Sequence, residues 1–405
     1  MRLRTVFKKL LCLQGTRVRQ VEFRREEETI AVGVVRSAWK HRCPHCAFRT
    51  HATYDSHPRE WRHLSLGRWR VILRSTSHRI CCPEHGVINE AFPWAAAGSL
   101  FTLDFESLVA WLARQMNKTA VAALAKISWP TVGKIIERFV ARTIDRKRLD
   151  GLFVIGLDEV SYRKGHKYLT VIANHLTGVP VWMAEGRSQK TLGAFFDELG
   201  PERAGQVQVV TMDMCAPYIA EVRARAPNAR IAFDPFHVVK LAGDAVHTVR
   251  RAEARAGKGT PEAAVLKGSR WSLLKARESQ TAEDRLRLAE VSRLNRRVYK
   301  AYLLKEELRA LYRCSFRAAA RHLTAWLAWA SRSRLAPFVK LARTLRKHRD
   351  GILAAIELGV SNARMEGLNN KIAVIKHRAY GFHSADALIA MIFLCCSAIH
   401  VALPI

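Results

Sequence analysis

Two apolar runs that each close on an aspartate restrict what this chain can fold into. "GLFVIGLDEV" carries Asp158 and "VQVVTMDM" carries Asp213, while Glu366 opens a late helical segment, "NARMEGLNN". A carboxylate at the end of a buried strand loses hydration, and that is unfavourable unless a positive group compensates it. The strand-like runs stand in the order strand ("LFVIGLDEV"), strand ("YLTVIANHLTG"), strand ("VPVWMAEG"), helix, strand ("VQVVTMDM"), helix, strand ("ARIAFD"). Three consecutive strands followed by alternating helices and strands predict a mixed sheet covered by helices.

The chain has 405 residues, room for several domains. Its 67 Lys and Arg against 35 acidic residues leave a formal charge of +32, which disfavours a compact fold unless a polyanion is the partner. Nucleic acid is the expected polyanion, ahead of an anionic membrane surface. The opening "MRLRTVFKKLLCLQG" has no long apolar core or small-residue cleavage site, and the nine scattered cysteines do not read as a disulfide framework. A reducing cytosol, with association to the bacterial nucleoid, is the expected location. The apolar end "ALIAMIFLCCSAIHVALPI" reads as a buried core helix rather than a membrane anchor.

Residues 1–95 read as a zinc-ribbon domain. "CPHC" supplies Cys43 and Cys46, and "CCPEHG" supplies Cys82 and His85, with Cys81 as a substitute fourth ligand. Tetrahedral zinc needs four soft or borderline ligands, and a Cys-x-x-Cys turn contributes two at once. Residues 96–145 change to helical spacing and carry a helix-turn-helix pattern, with Thr131, Lys134 and Arg138 on the second helix expected toward DNA. The α/β core occupies 151–240 and resumes over 359–405. Between them, 241–358 read as an all-helical, Arg- and Lys-rich insertion. There Trp271 stands among basic residues and suits stacking on a displaced base.

Strand order and acid placement together describe an RNase H-like fold: the first strand ends in one carboxylate, the strand after the first helix in a second, and a late helix supplies a third. Three carboxylates suit two Mg²⁺ or Mn²⁺ ions about 3.5–4 Å apart, which activate an attacking hydroxyl and stabilise a leaving oxygen. Asp234, in "IAFDPFH", also ends a strand and competes for the middle place, although strand order favours Asp213. Asp234 with His237 then supports the site, and Asp234 also suits a helix N-cap before Pro235. Glu159 is a supporting residue, and Asn362, Glu366, Asn369 and Asn370 share one helix face. The basic "SYRKGHKY" suits an approaching DNA strand, and Arg378, Tyr380 and Phe382 are placed to hold the late helix against it.

The strings "GLDEVSYRKGHKYLTVIANHLTG", "TMDMCAPYIAEVRARAPNARIAFDPFHVVK" and "SNARMEGLNNKIAVIKHRAYGF" resemble those of the DDE transposases of the ISL-three insertion-sequence family. With the zinc ribbon and helix-turn-helix included, the resemblance spans nearly the whole chain. It implies that Asp158, Asp213 and Glu366 are the catalytic triad and that the helical block is the family's insertion domain. It further implies binding of terminal inverted repeats, metal-dependent cleavage of transposon ends, strand transfer into target DNA, and a homodimer or larger assembly. A transposase-derived regulator without catalysis and an RNase H-like junction endonuclease are the rival expectations.

Overall fold

A computed structural model describes residues 3–404 except Lys164 and His166. The backbone separates into two units, one running to Ile144 and including Phe393 onward, the other Asp145–Ile392.

The first unit begins with helix α1 (Leu3–Leu11) and a sheet of strands β1 (Thr16–Arg24), β2 (Thr29–Arg36), β5 (Asp55–Leu66), β6 (Trp69–Cys82) and β7 (Gly86–Asn89). The order is β1-β2-β6-β5, with β7 paired to β6. A two-residue hairpin, β3 (His41–Arg42) and β4 (Arg49–Thr50), stands apart from this sheet. Val32, Trp61, Val71, Leu73 and Trp94 form the core of the unit. Helices α2 (Leu103–Gln115), α3 (Lys118–Ala125) and α4 (Trp129–Thr143) follow. Local chemistry sets their ends: Asn117 and Ser128 accept hydrogen bonds from the Ala120 and Thr131 N–H groups, and Lys126 turns left-handed at φ 53° to stop α3.

In the second unit, β8 (Val154–Arg163), β9 (Lys167–Asn174), β10 (Val179–Glu185), β11 (Val209–Met212) and β12 (Arg230–Phe233) form one sheet in the order β10-β9-β8-β11-β12. The first three strands pair antiparallel, whereas β8, β11 and β12 run parallel. Helices α5 (Gln189–Leu199), α6 (Pro201–Gln206) and α7 (Ala216–Arg225) connect the strands. Parallel neighbours require crossovers of this kind, and their strands are apolar because both faces are covered.

Helix α8 (Pro235–Ala256) starts at the end of β12 and runs unbroken into the helical block. The block continues through α9 (Pro261–Gly268), α10 (Arg270–Leu274), α11 (Ala282–Leu294), α12 (Arg296–Ala310), α13 (Phe316–Ser331), α14 (Ala336–Lys347) and α15 (Arg349–Leu358). Its last helix returns to the sheet: a Cβ on Gly351 would stand 2.4 Å from Phe233 Cε2 of β12, so only glycine permits this approach. Ile155, Leu157, Met212 and Phe233 of the sheet share one continuous core with Val238, Leu304, Trp326, Leu345 and Ile352 of the block. Helices α16 (Ala363–Arg378) and α17 (Ala385–Cys396) end the chain. The C-terminal apolar stretch thus contributes a 12-residue helix, and among the described residues no helix is long and apolar enough to cross a membrane.

Candidate active site

The parallel register sets three aspartates level. Gly156 pairs with Thr211 and Met212 with Phe233. Continued by two residues and one, that register puts Asp158 opposite Asp213 and Asp213 opposite Asp234. Asp213 and Asp234 directly follow β11 and β12, whereas Asp158, expected to close its strand, lies inside β8, which runs on to Arg163 because β9 continues to pair with it. In open α/β sheets the C-terminal edge of the parallel strands is where ligands bind.

Helix α16 brings the remaining groups, and a glycine sets its distance. Met365 is buried against β8, and a Cβ on Gly156 would lie 2.8 Å from its Cγ and 2.9 Å from its Sδ. Two residues along the strand and four along the helix, the same faces meet again: Asn369 Nδ2 donates to Asp158 Oδ2 at 2.6 Å. Glu366 lies between these two contacts on the helix, exposed, in its first turn, where a carboxylate complements the helix dipole. Gly156→Val is expected to push α16 away, costing about 1–3 kcal/mol by overpacking. A lower melting temperature of the full chain, with loss of any activity that needs Glu366, checks this.

An open cavity of about 450 Å³ is lined by Asp158, Glu159, Asp234, His237, Asn362, Glu366 and Asn369, with Phe236 among its walls. Burial pushes the Asp158 carboxyl above the usual range and the nearby Asp213 charge adds to this, against the Glu159 N–H (2.7 Å) and Asn369. Glu159 is also raised by burial, opposed by the Arg187 charge and the Tyr218 hydroxyl. Asp234 is almost fully buried, and its two oxygens accept from the Asn362 N–H (3.2 Å) and His237 Nδ1 (2.9 Å). Burial works against its ionisation, but these donors hold its pKa below the usual range.

His237 Nδ1 also stands 2.7 Å from Asp213 Oδ1, and the two carboxylates push its pKa up to about 10. Only the contact to Asp234 has hydrogen-bond geometry, so Asp213 Oδ1 is a buried oxygen without a hydrogen-bond partner among the described residues. The same holds for Asn369 Oδ1 and for both side-chain polar atoms of Asn362. Buried acceptors left in this way call for a cation or water. Ligand atoms of Asp213, Asp234 and His237 all lie within 4.8 Å of one another.

In magnesium-free buffer the imidazolium between Asp213 and Asp234 stabilises the fold. Its contribution is fully present below pH 6.5, the ordinary value, and disappears as pH rises to about 10. His237→Gln is therefore expected to cost about 1–2 kcal/mol at pH 6, with allowance for solvent screening, and little near pH 10. Denaturant unfolding of both proteins at the two pH values measures the difference.

Of the other residues expected at this site, Asn370 is exposed on α16 and Asn369 takes the inward place. Lys164 and His166 of the basic "SYRKGHKY" stretch lie outside the described residues. Tyr218 and Arg187, not anticipated, act on Glu159 from α7 and from just beyond β10. Their only advance signal was an aromatic and a cation close to strand ends.

In the first unit the two cysteine knuckles converge. The ligand atoms of Cys43, Cys46, Cys82 and His85 lie within 4.8 Å of one another, with Cys46 Sγ to Cys82 Sγ 3.5 Å and Cys82 Sγ to His85 Nδ1 3.5 Å. Three thiols and an imidazole at such spacing match the donor set of a tetrahedral zinc site. Burial opposes a thiolate at Cys43, yet the His45 and Cys46 N–H groups help hold its pKa below the ordinary thiol value. Cys81 is exposed and outside the group. Beside it lies an unanticipated network: buried Glu90 accepts from His41 Nδ1 (2.7 Å) and His78 Nδ1 (2.8 Å) and pairs with Arg36 (2.5 Å).

On the helix-turn-helix, Lys134 is exposed, and Thr131 is half-buried with its hydroxyl 2.7 Å from Ser128 Oγ. Arg138 turns inward: its Nε donates to buried Glu106 at 2.6 Å, while Arg142 holds the other oxygen at 2.7 Å. Arg138 thus ties α4 to α2 through Glu106, with its side chain left 28% exposed. Trp271 on α10 is 62% exposed, with Arg270 stacked 4.6 Å from its ring.

Comparison with known proteins places this geometry in context. A family model described as a transposase matches residues 155–392, and one described as the helix-turn-helix domain of transposase family ISL3 matches residues 90–140. The transposase for insertion sequence element IS1557 of Mycobacterium tuberculosis is 39% identical over 412 residues, covering 94% of this chain and 92% of its own length. The transposase for insertion sequence element IS1001 of Bordetella parapertussis is 29% identical over 380 residues, covering 92% of this chain and 93% of its own.

Proposed function

The chain belongs to the ISL3 family of transposases, and from that premise we propose that it binds the terminal inverted repeats of an insertion sequence, cleaves the transposon ends and transfers them to target DNA. The observation that carries this reading is the level row of Asp158, Asp213 and Asp234, of which Asp158 and Asp234 line the same cavity as Glu366. We read the sheet, three antiparallel strands continued by two parallel ones, as RNase H-like.

Asp158, Asp213 and Glu366 are the proposed ligands for two Mg²⁺ or Mn²⁺ ions. Hard oxygen donors fit such ions, and the buried Asp213 Oδ1, with only an ion-pair contact to His237 and no hydrogen bond, suits the place of a ligand. Bound there, the ions supply Lewis-acid stabilisation of an in-line phosphoryl transfer. Asp213 suits the middle ligand better than Asp234, because both Asp234 oxygens are already engaged by Asn362 and His237. Asp234 and His237 then orient Asp213, Asn369 orients Asp158, and Glu159, Asn362 and Asn370 support the site from its margins.

The Cys43–Cys46–Cys82–His85 group is the proposed structural zinc ribbon. Lys134 and Thr131 are the proposed DNA contacts of the helix-turn-helix, and Trp271 a stacking contact in the helical insertion. Two ends must be brought together, so the working form is a homodimer or larger assembly, acting in the bacterial cytoplasm on the nucleoid.

Purified full-length protein incubated with labelled end DNA, Mg²⁺ or Mn²⁺ and a target plasmid tests the reading. Nicked 3′ ends followed by joined products are expected. Binding without nicking would identify a regulator, and junction cutting without joining an endonuclease; either result overturns the proposal.

A further inference from the structure

Helix α16 ends in a backbone motif that is ordinarily completed by glycine. The Gly381 N–H donates to the Lys376 carbonyl and the Tyr380 N–H to the His377 carbonyl, both at 3.1 Å, the double bond of a Schellman cap. The residue that must turn left-handed in this cap is Tyr380, at φ 54°, directly before Gly381 at φ 103°. A bulky side chain in that conformation is strained. Packing does not offset the strain, since the residue is 91% exposed.

We propose that Tyr380 is a base-stacking contact for the DNA strand that α16 leads to the carboxylates; this rests on the transposase reading above. The left-handed turn itself serves the cap, but a tyrosine there adds strain that glycine would not and gains the free protein no packing, which is what a binding contact leaves behind. The occupant follows from the helix itself. Beyond Glu366, α16 carries no acidic residue, and its exposed face presents Lys371, Val374 and His377 before Tyr380, with Lys376 and Arg378 half-buried beside them. Cations interleaved with an exposed aromatic fit a polyanion with flat apolar bases. Glu366 to Arg378 spans about 18 Å at 1.5 Å per residue, roughly five base steps of a strand at 3.4 Å each. The ring would therefore meet a nucleotide a few positions from the scissile phosphate.

The test uses the full-length protein and a duplex of the element's own terminal repeat, carrying 2-aminopurine at successive positions over its six outermost nucleotides, in Ca²⁺. Quenching at one or two adjacent positions is expected with wild type and Tyr380→Phe. Tyr380→Gly is expected to lose the quenching, to bind about tenfold more weakly, and to melt at or above the wild-type temperature, because glycine relieves the left-handed strain. Unchanged binding and quenching in Tyr380→Gly overturn the proposal. So does a lower melting temperature, which would mean that the ring packs in the free protein. Wild-type cleavage of the same duplex in Mg²⁺ is scored separately. Its absence removes the transposition reading while Tyr380-dependent quenching keeps the contact; cleavage with quenching that ignores Tyr380 does the reverse.

Discussion

Asp158→Asn is expected to lower metal-dependent cleavage of end DNA by about 10³-fold or more while the protein melts at or above the wild-type temperature. The first half follows from losing an anionic oxygen among the ligands proposed for hard cations, worth several kcal/mol at 1.4 kcal/mol per tenfold. The second half follows from burial. The folded protein raises the Asp158 pKa, so its ionised form is a cost that sets in as pH rises above the ordinary carboxylate value. Asparagine removes that charge at nearly constant volume, and its oxygen still accepts from Asn369. A purely structural aspartate, held by a salt bridge, would show the opposite pattern: lower stability and preserved chemistry. Single-turnover cleavage and a thermal melt on the same preparation separate the two. Glu366→Gln should lose cleavage to a similar degree with little change in stability, because that side chain is exposed.

The second large effect lies at the cysteine knuckles. Purified protein is expected to carry one zinc per chain, and Cys82→Ser to lose both the metal and the fold around residues 41–50. Strands β3 and β4 have two residues each, and a hairpin of that size is not stable alone in water. Its local core is only Cys43, Ile80 and Cys82, with Cys46, Phe48 and Ile88 against it. Metal binding to such knuckles is folding free energy, about 10–16 kcal/mol apparent in isolated zinc-finger peptides. The separate core around Trp61 and Trp94 should survive. Hydrogen exchange should therefore collapse at residues 41–50 and persist in β2 and β6, whereas Cys81→Ser should leave metal content and exchange unchanged. Exchange lost evenly across the whole unit, or a zinc-free wild type that keeps the hairpin, would sink the idea.

Much of this was readable in advance because it is local. An aspartate following a short apolar strand, as Asp213 follows β11, and a Cys-x-x-Cys turn act over a few residues, and their chemistry does not wait for the rest of the chain; Asp158 differs, because β8 runs on past it to Arg163. The level placement of Asp158 and Asp213 follows from strand order, which already constrains which strands become neighbours. Other features depend on how far a helix is rotated against its neighbour. Arg138 was expected toward DNA, but its partner Glu106 lies 32 residues earlier on α2, and packing of α4 on α2 turns it inward. Asn369 rather than Asn370 reaches Asp158 because Met365 seats in the space left by Gly156 and sets the rotation of α16. Neither the Glu90 network nor the insertion's return onto β12 through Gly351 has a local signature.

Residue types and their order along the chain were enough to determine a basic chain with a mixed sheet and a helical block after it, because charge and backbone propensity are properties of short segments. Which carboxylate oxygen remains without a donor, which asparagine faces the cavity, and which arginine is consumed in packing were decided by tertiary contacts. Those are ångström-scale distances between segments up to 211 residues apart, as for Asp158 and Asn369, and only the packed core sets them.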